Sequence, residues 1–516
     1  MNIDFKQEVN KFRENFFNSK KIILIYLIFI LIVTLTMFQV ENYLSPFKEV
    51  MAIGIVAIFG IFSIVFYSYH NEDNELYKTA FVIIFLLGLL CCFLNPICNV
   101  SDEVEHLARA DLTSEGILFP QYVNNTFYVS SDISNFFEVS KAKTVFEVEG
   151  DTNKINDSLA PYGAVFQQNP FYGYIPQAIG VFLAKILDLN VIWMLWLARI
   201  FNLLCYAIII SFAIKKSPIL KIPILVMACI PVAIQQAGSV SLDAMLTGGG
   251  ILIMSYFFYF IKSKDYSISN KQIIIFSIFC LLVGLCRLPY LALIMLLFFV
   301  PSNKFESDKS KYIIVVSFIV VGVCGILWTK YALTSYTHSW RSQYYADNNV
   351  NSYGQLMYMI NHPLEALVAI FNIPNAFYYS EVLNGFSVLY SNTVGVTSKY
   401  RNGFINGLIP LFIGAIWLLY PNPDKFGLRE KIGSLFVLIV TYFGICLTQI
   451  ISWSSVGDLT HIVVHTRYFI PLYVLVPFIF GINNVEERDY KIDSYIITLT
   501  ISFISAFLIH IIQIFY

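Results

Sequence analysis

Charge is what this sequence has least of. Asp, Glu, Lys and Arg make up 13% of its 516 residues, about half of the roughly 25% carried by soluble domains. That deficit excludes an ordinary soluble chain. With 57% hydrophobic residues and repeated apolar runs of about 20 residues, it describes a multi-pass helical membrane protein. Net charge is nearly absent too, at −1, so the total does not point to nucleic acid. The nine cysteines fall almost entirely inside apolar runs, Cys98 alone lying near a sizeable loop, and no disulfide framework is expected. There is no Walker loop, GxGxxG unit, CxxC pair or HExxH, which removes support for nucleotide-driven pumping and zinc hydrolysis. No internal repeat, inverted halves or low-complexity tract is visible. No small-residue cleavage site follows "TLTMFQVENYL", so the first apolar run is expected to be an uncleaved signal anchor.

What is present is a series of spans. Strong ones are expected near 23–40, 49–69, 79–95, 190–214, 219–236, 241–261, 312–333, 403–420, 432–452, 467–482 and 494–515, and two shorter runs, 272–286 and 288–300, flank Arg287. With the N-terminus in the cytosol, loops such as "KKSPILK", "KSKDYSISNK" and "PNPDKFGLREK" collect most of the 33 Lys and Arg, as the positive-inside rule asks. This holds only if the apolar stretches 171–187 and 364–379 lie in the outer interface or re-enter. The expectation is an all-α polytopic membrane protein with about thirteen crossings. It divides into a three-span segment 1–95, a first extracytoplasmic segment 96–189, a central bundle 190–333, a second extracytoplasmic segment 334–402 and a four-span segment 403–516.

The most charged stretch, "SDEVEHLARADLTSEG" at 101–116, directly follows the uncharged "AFVIIFLLGLLCCFLNPI". Ser101 suits an N-cap, Asp102 and Glu103 suit the first turn, and Gly116 suits a stop. Asp102, Glu105, His106 and Arg109 share one face at 100° per residue, which predicts a short helix lying on the membrane with its polar face outward. Ordinary capping and an i,i+4 Glu105–Arg109 pair account for part of this pattern. They leave unexplained His106 and the position just beyond a span. Two acids beside a histidine at the bilayer surface suit proton removal from a hydroxyl.

Cations sit where a membrane disfavours them. Arg467 opens a span in "HIVVHTRYFIP", Arg287 falls between two runs each too short to cross, and Arg199 and Lys330 lie within spans. Interfacial anchoring and snorkelling explain single cases. Four in the outer half are better explained by an anion bound there, a lipid phosphate being the natural candidate. Asp243 in "IPVAIQQAGSVSLDAML" sits at a short outer loop, where Ser239 or Ser241 would cap a helix and Gln235 and Gln236 would reach sugar hydroxyls or merely end a span. Trp340, Tyr344 and Tyr345 suit sugar stacking or an interfacial belt, and His338, His362, His461 and His465 lack ligand spacing.

An acidic pair on the first large outer loop resembles the GT-C class of membrane glycosyltransferases, and "SDEVEH" resembles the Asp-Glu motif of its protein mannosyltransferase branch. The order "SDEVEHLARADLTSEGILFP", "NPFYGYIPQAIGVFLAKIL", "LARIFNLL", "IPVAIQQAGSVSLDAML", "CRLPYLALIMLLFFVP", "HTRYFIPLYVL" is similar to a bacterial multi-pass family catalogued as a domain of unknown function. Three spans precede the acidic loop here where the GT-C pattern has one, and Thr466 stands where a Gly is usual. The resemblance implies inverting transfer of a sugar from a polyprenyl-phosphate donor to a cell-envelope glycan or glycopolymer at the outer face of the cytoplasmic membrane. Asp102 would be the base, with Glu103 or His106 positioning. Arg467, Arg287 and Arg199 would hold the lipid phosphate, and Asp243, Gln235, Arg109 and Tyr174 would contact sugar or acceptor. Whether a divalent metal bridges Asp102 to the phosphate stays open, as does oligomeric state. A ligase or polymerase of lipid-diphosphate-linked glycans would not need Asp102. A lipid-linked-sugar flippase would need polar gating residues in both membrane halves, and a structural scaffold would leave the outer cations without a cause.

Overall fold

A computed structural model describes residues 5–37, 46–70, 74–124, 126–148, 153–337, 341–376, 403–460, 464–483, 485 and 489–516. Among these, seven helices are long and apolar enough to cross a membrane: α3 (Pro46–Tyr69), α4 (Leu76–Leu94), α7 (Val191–Lys216), α10 (Leu242–Lys262), α12 (Lys309–Thr337), α17 (Leu428–Trp453) and α20 (Tyr490–Phe515). An eighth forms if α1 (Phe5–Asn18) and α2 (Lys20–Met37), which meet at a 65° bend, make one broken span.

The other expected crossings are short or interrupted, and proline explains most of them. The 219–236 run breaks into α8 (Lys221–Ala228) and α9 (Pro231–Ala237), because Pro231 lacks the N–H an uninterrupted helix needs and fits only a first turn. The 467–482 run becomes a 3₁₀ turn Thr466–Phe469 followed by α18 (Ile470–Tyr473) and α19 (Val476–Phe480), each with a proline in its first turn. α16 (Gly403–Leu419) is 17 residues and contains Pro410. The runs around Arg287 form α11 (Asn270–Cys286) and a 12-residue 3₁₀ helix, Leu288–Phe299. At the standard rises each is about 24–26 Å long, short of a full bilayer core of about 30 Å.

Burial orders the bundle. The C-terminal α20 is 83% buried over its apolar window and α10 is 72% buried, whereas α12 is 17% buried and faces outward. α20 earns its central place with small polar residues that bond within the bundle: Ser505 Oγ lies 2.9 Å from Tyr26 Oη, and Gln513 Nε2 donates to Thr34 O and Glu49 Oε1, both at 3.2 Å.

Segment 96–189 has its own core of Val104, Leu107, Phe127, Ile133, Phe137 and Val181, shared with the start of α7. It is not wholly helical. An antiparallel hairpin pairs β1 (Phe127–Ser130) with β2 (Leu159–Tyr162), Phe127 opposite Tyr162, a feature that the all-α expectation omits. α5 (Glu103–Ser114) does not lie on the membrane with a polar face outward. Glu103, His106, Arg109 and Asp111 are buried, because the hairpin and α6 (Ile175–Ile186) fold over it. α6 itself packs on α5 and α7. Its Lys185 clamps it there, 2.8 Å from Asp111 Oδ1, 2.6 Å from Glu115 and 3.2 Å from Asp157. The stop at Gly116 forms as expected: Gly116 takes φ +79° and Ile117 N–H bonds Leu112 O at 2.9 Å, the Schellman closure. In the later segment α13 (Arg341–Asp347), α14 (Ser352–Asn361) and α15 (Pro363–Ala376) are described. Trp340, His338, His461 and residues 377–402 lie outside the described residues.

Candidate functional site

Four charged side chains from four distant stretches of chain converge. Asp243 is in the first turn of α10, whose N-cap Ser241 accepts the Asp243 N–H at 3.1 Å. Its Oδ1 accepts from Arg287 Nη2 and its Oδ2 from Arg467 Nε, both at 2.9 Å. Arg467 Nη2 then lies 3.9 Å from Asp102 Oδ2. Two arginines and two aspartates give a quartet of zero formal charge. Arg467 is 6% exposed and Asp243 13%, but Asp102 is 47% exposed, so only that carboxylate is broadly open to a visiting molecule. Arg287 sits where α11 gives way to the 3₁₀ helix, and its guanidinium carbon lies 3.6 Å from the ring centroid of Tyr468, close cation–π stacking. Its Nη1 is buried with no hydrogen-bond partner among the described residues.

Asp102 holds an unusual backbone. It is the N-cap of α5 at φ 61°, ψ 20°, and its side chain makes no capping bond, so the cap expected of Ser101 does not form; Ser101 Oγ instead donates to Asp102 Oδ2 at 3.2 Å. A left-handed non-glycine residue costs roughly 1–2 kcal/mol and persists only where its surroundings fix it. The fixing group is the next residue. Glu103 accepts from Arg199 Nε on Oε1 and Nη2 on Oε2, and from Val240 N–H on Oε1, all at 2.8 Å. Both side chains are fully buried. Arg199 also donates to the carbonyls of Cys92, Asn95 and Pro96 at 2.8–2.9 Å. This pair therefore joins the end of α4, the start of α5, α7 and the turn before α10, and so ties Asp102 to Asp243.

Several expected roles change. Glu103 neither faces the open carboxylate nor reaches a substrate, and Arg199 is saturated by Glu103 and three carbonyls rather than free for a phosphate. Arg109 is buried, donating to Thr113 and to the carbonyls of Ile117 and Leu118; it holds the loop after α5 and does not contact an acceptor. Gln235 is wholly buried in α9 and neither amide atom has a partner among the described residues. Tyr174 is also buried, so its ring face is unavailable for stacking on a sugar. Its hydroxyl is 2.7 Å from His106 Nδ1 and takes a bond from Asn169 at 3.0 Å. His106 stacks on Phe166 at 4.4 Å. Burial pushes the His106 pKa down to about 4, the nearby Arg467 and Arg287 adding to the effect and Asp102 and Asp243 opposing it. His465 falls to about 3 from burial and from Arg467. Both imidazoles are neutral at pH 7. Lys330 is exposed on α12.

Asp102, His106, Asp243, Arg287 and Arg467 are brought together, but Asp243, expected to contact sugar or acceptor, is taken up by the two guanidinium groups. Tyr468 and Asn169 were not singled out for the site. Tyr468 follows Arg467 directly in "HTRYFIP", and the aromatic beside an intramembrane arginine was the available signal. Chemically, the arrangement offers an exposed carboxylate beside two cations that one aspartate bridges and partly neutralises. Among the described residues no three His, Cys, Asp or Glu side chains are grouped to hold a metal ion, and both aspartates are engaged by guanidinium groups.

No curated protein and no solved structure matches the chain. The matched family profile runs from α4, ahead of the Asp102 turn, through Asp243, Arg287 and Arg467 to α19. On that match, over residues 85–476, the chain belongs to the family described as predicted membrane protein (DUF2142).

Proposed function

We propose that this membrane protein is a GT-C-type glycosyltransferase that moves a sugar from a polyprenyl-phosphate donor to a hydroxyl of a cell-envelope glycan or glycopolymer, with inversion, at the outer face of the cytoplasmic membrane. The observation that carries the reading is the half-exposed Asp102 carboxylate standing 3.9 Å from Arg467, which shares Asp243 with Arg287. In the reaction, Asp102 takes the proton of the acceptor hydroxyl as its oxygen forms the new bond to the sugar's anomeric carbon. The bond from that carbon to the donor phosphate oxygen breaks, and its electron pair leaves on the phosphate. Arg467 and Arg287 face that growing negative charge, and fixed cations at such a position are worth a few kcal/mol. Asp243 keeps the two guanidinium groups aligned before the donor arrives. His106, held neutral by burial and tied to Tyr174, positions the first turn of α5.

Charge placement supports the orientation. Lys216 stacks on Tyr259 near the end of α10, and Lys262 closes that helix, so these lysines gather about 30 Å from Asp243 along a helix of 21 residues. Such an excess marks the cytosolic side, which leaves Asp243 outside.

The test is transfer by purified wild type and by Asp102→Asn, each given a panel of polyprenyl-phosphate sugars and a crude envelope acceptor. Loss of the base should lower turnover about 100- to 10,000-fold with the fold intact. Wild-type transfer by the variant removes Asp102 from the reaction, and equal donor consumption by both favours a ligase or flippase instead.

A further inference from the structure

At the far end of α10 from Asp243, a cavity of about 280 Å³ opens between the end of α16, the first turns of α17 and residues 477–483. Trp417, Asn422, Lys425, Phe426, Lys431 and Asn483 are among its lining residues. Its walls are preformed. Asn422 N–H donates to Asn483 O at 3.0 Å, Ile482 N–H to Leu418 O at 2.9 Å, and the Asn483 amide to Leu419 O at 2.9 Å. Phe426 is fixed by Phe478, their ring centroids 4.5 Å apart, and flanked by Lys262 at 5.5 Å and Lys431 at 6.0 Å.

The electrostatics of this cavity are one-sided. Lys262 pairs with Asp424, the only lining acid among the described residues. Among the described residues neither Lys425 nor Lys431 has an ion-pair partner. The carboxylate of Glu430 turns back against Gly427 instead of meeting them. α17, a 26-residue helix, begins beside the cavity on Gly427, and the buried Glu430 carboxylate in its first turn offsets the helix dipole, so the positive potential comes from the lysines. Two lysines with no ion-pair partner among the described residues, two carboxamides and an indole suit one kind of guest: a phosphate ester, whose oxygens take charged donors while its organic part meets the aromatic wall. The cavity also lies where the apolar helices α10 and α16 end and α17 begins.

We propose that this pocket is a second binding site, specific for a phosphate ester and set on the membrane face opposite the Asp102 quartet. The guest is either a phospholipid headgroup or a soluble phosphate compound. The proposal stands independently of the transferase reading, because no residue is shared.

The test measures amide hydrogen exchange of residues 420–431 in the full-length protein held in phosphatidylcholine nanodiscs. One arm adds phosphatidylglycerol to the bilayer, a second adds glycerol phosphate to the buffer, and a third adds sodium chloride at matched ionic strength. With ligand at about ten times its dissociation constant, local opening should fall about elevenfold. Slowing in the lipid arm identifies a headgroup, and slowing in the soluble arm identifies a solute. Either should vanish in Lys425→Ala/Lys431→Ala, with exchange at 240–247 unchanged as a check on the fold. Lys431→Arg should keep it, and Lys425→Ala alone, at an exposed position, should weaken affinity up to about fivefold. No slowing in either phosphate arm, equal slowing by chloride, or slowing that survives in the double variant overturns the proposal.

Discussion

Replacing Glu103 by Gln isolates what the buried ion pair contributes. The glutamine keeps the size of the side chain and one acceptor oxygen but removes the charge that faces Arg199. Three donors, Arg199 Nε, Arg199 Nη2 and Val240 N–H, converge on that carboxylate at 2.8 Å. A carboxamide oxygen can serve only part of this set, and its NH₂ would be aimed at a donor. Removing one partner of a buried pair costs about 3–5 kcal/mol because the other charge stays desolvated. Arg199 keeps its three backbone carbonyls, which places the expected loss near the lower bound, about 3 kcal/mol, or about a hundredfold in the folding equilibrium. The assay is reversible unfolding in mixed micelles followed by far-ultraviolet circular dichroism, with Arg199→Met and the double variant completing a cycle. The two single losses should exceed the double loss by about 2 kcal/mol or more, since each single change strands a charge that the double change removes. A Glu103→Gln loss below about 1 kcal/mol, or single losses that add within about 0.5 kcal/mol, would refute the claim that this pair organises the site.

Asp243→Ala strands Arg287 and Arg467 and should lower stability by about 1.5–3 kcal/mol per lost charge-assisted bond at most, and a phosphate analogue should recover part of it in the same unfolding assay. His106 titrates near 4 when folded and near 6.5 when unfolded, so the unfolded chain binds the extra proton between those values. Stability is therefore full above about pH 6.5 and declines toward pH 4, by about 3 kcal/mol for this group. His106→Gln should flatten that decline, leaving the part due to His465, as unfolding at a series of pH values would show. Gly180 packs α6 so closely on α7 that an added Cβ would sit 2.4 Å from the backbone of Leu197. Gly180→Ala should cost about 1–3 kcal/mol, and proteolysis of segment 96–189 should speed up.

The long spans were legible because their signal is local: an uninterrupted apolar run declares itself without knowledge of its neighbours. The broken ones were less so. Pro231, Pro471 and Pro477 are plain in the sequence, yet hydropathy averaged over a window runs across them and reports a continuous span. The site was half legible. Asp102, Asp243, Arg287 and Arg467 stood out because charge is rare here and costly in a membrane. Glu103 and Arg199 stood out for the same reason and were assigned to chemistry, because sequence shows that a charge is present and not what neutralises it. Their contact joins residues 96 positions apart. The hairpin and the inward-facing α5 failed for a related cause: a polar helix face predicts solvent only if nothing folds over it, and segment 115–189 does.

Position 102 also bears on how such a protein changes under selection. Its left-handed backbone is one that Asp, Asn and Gly tolerate and that larger or branched residues resist. Asn and Gly are each a single nucleotide from an aspartate codon. A screen for folded protein should therefore return all three, with Gly the most stable, whereas a screen for transfer should return Asp alone. On the proposed transferase reading, loss of activity with full retention of structure is one mutational step away, and an Asn or Gly at this position in a relative would mark a chain kept for its architecture without that chemistry.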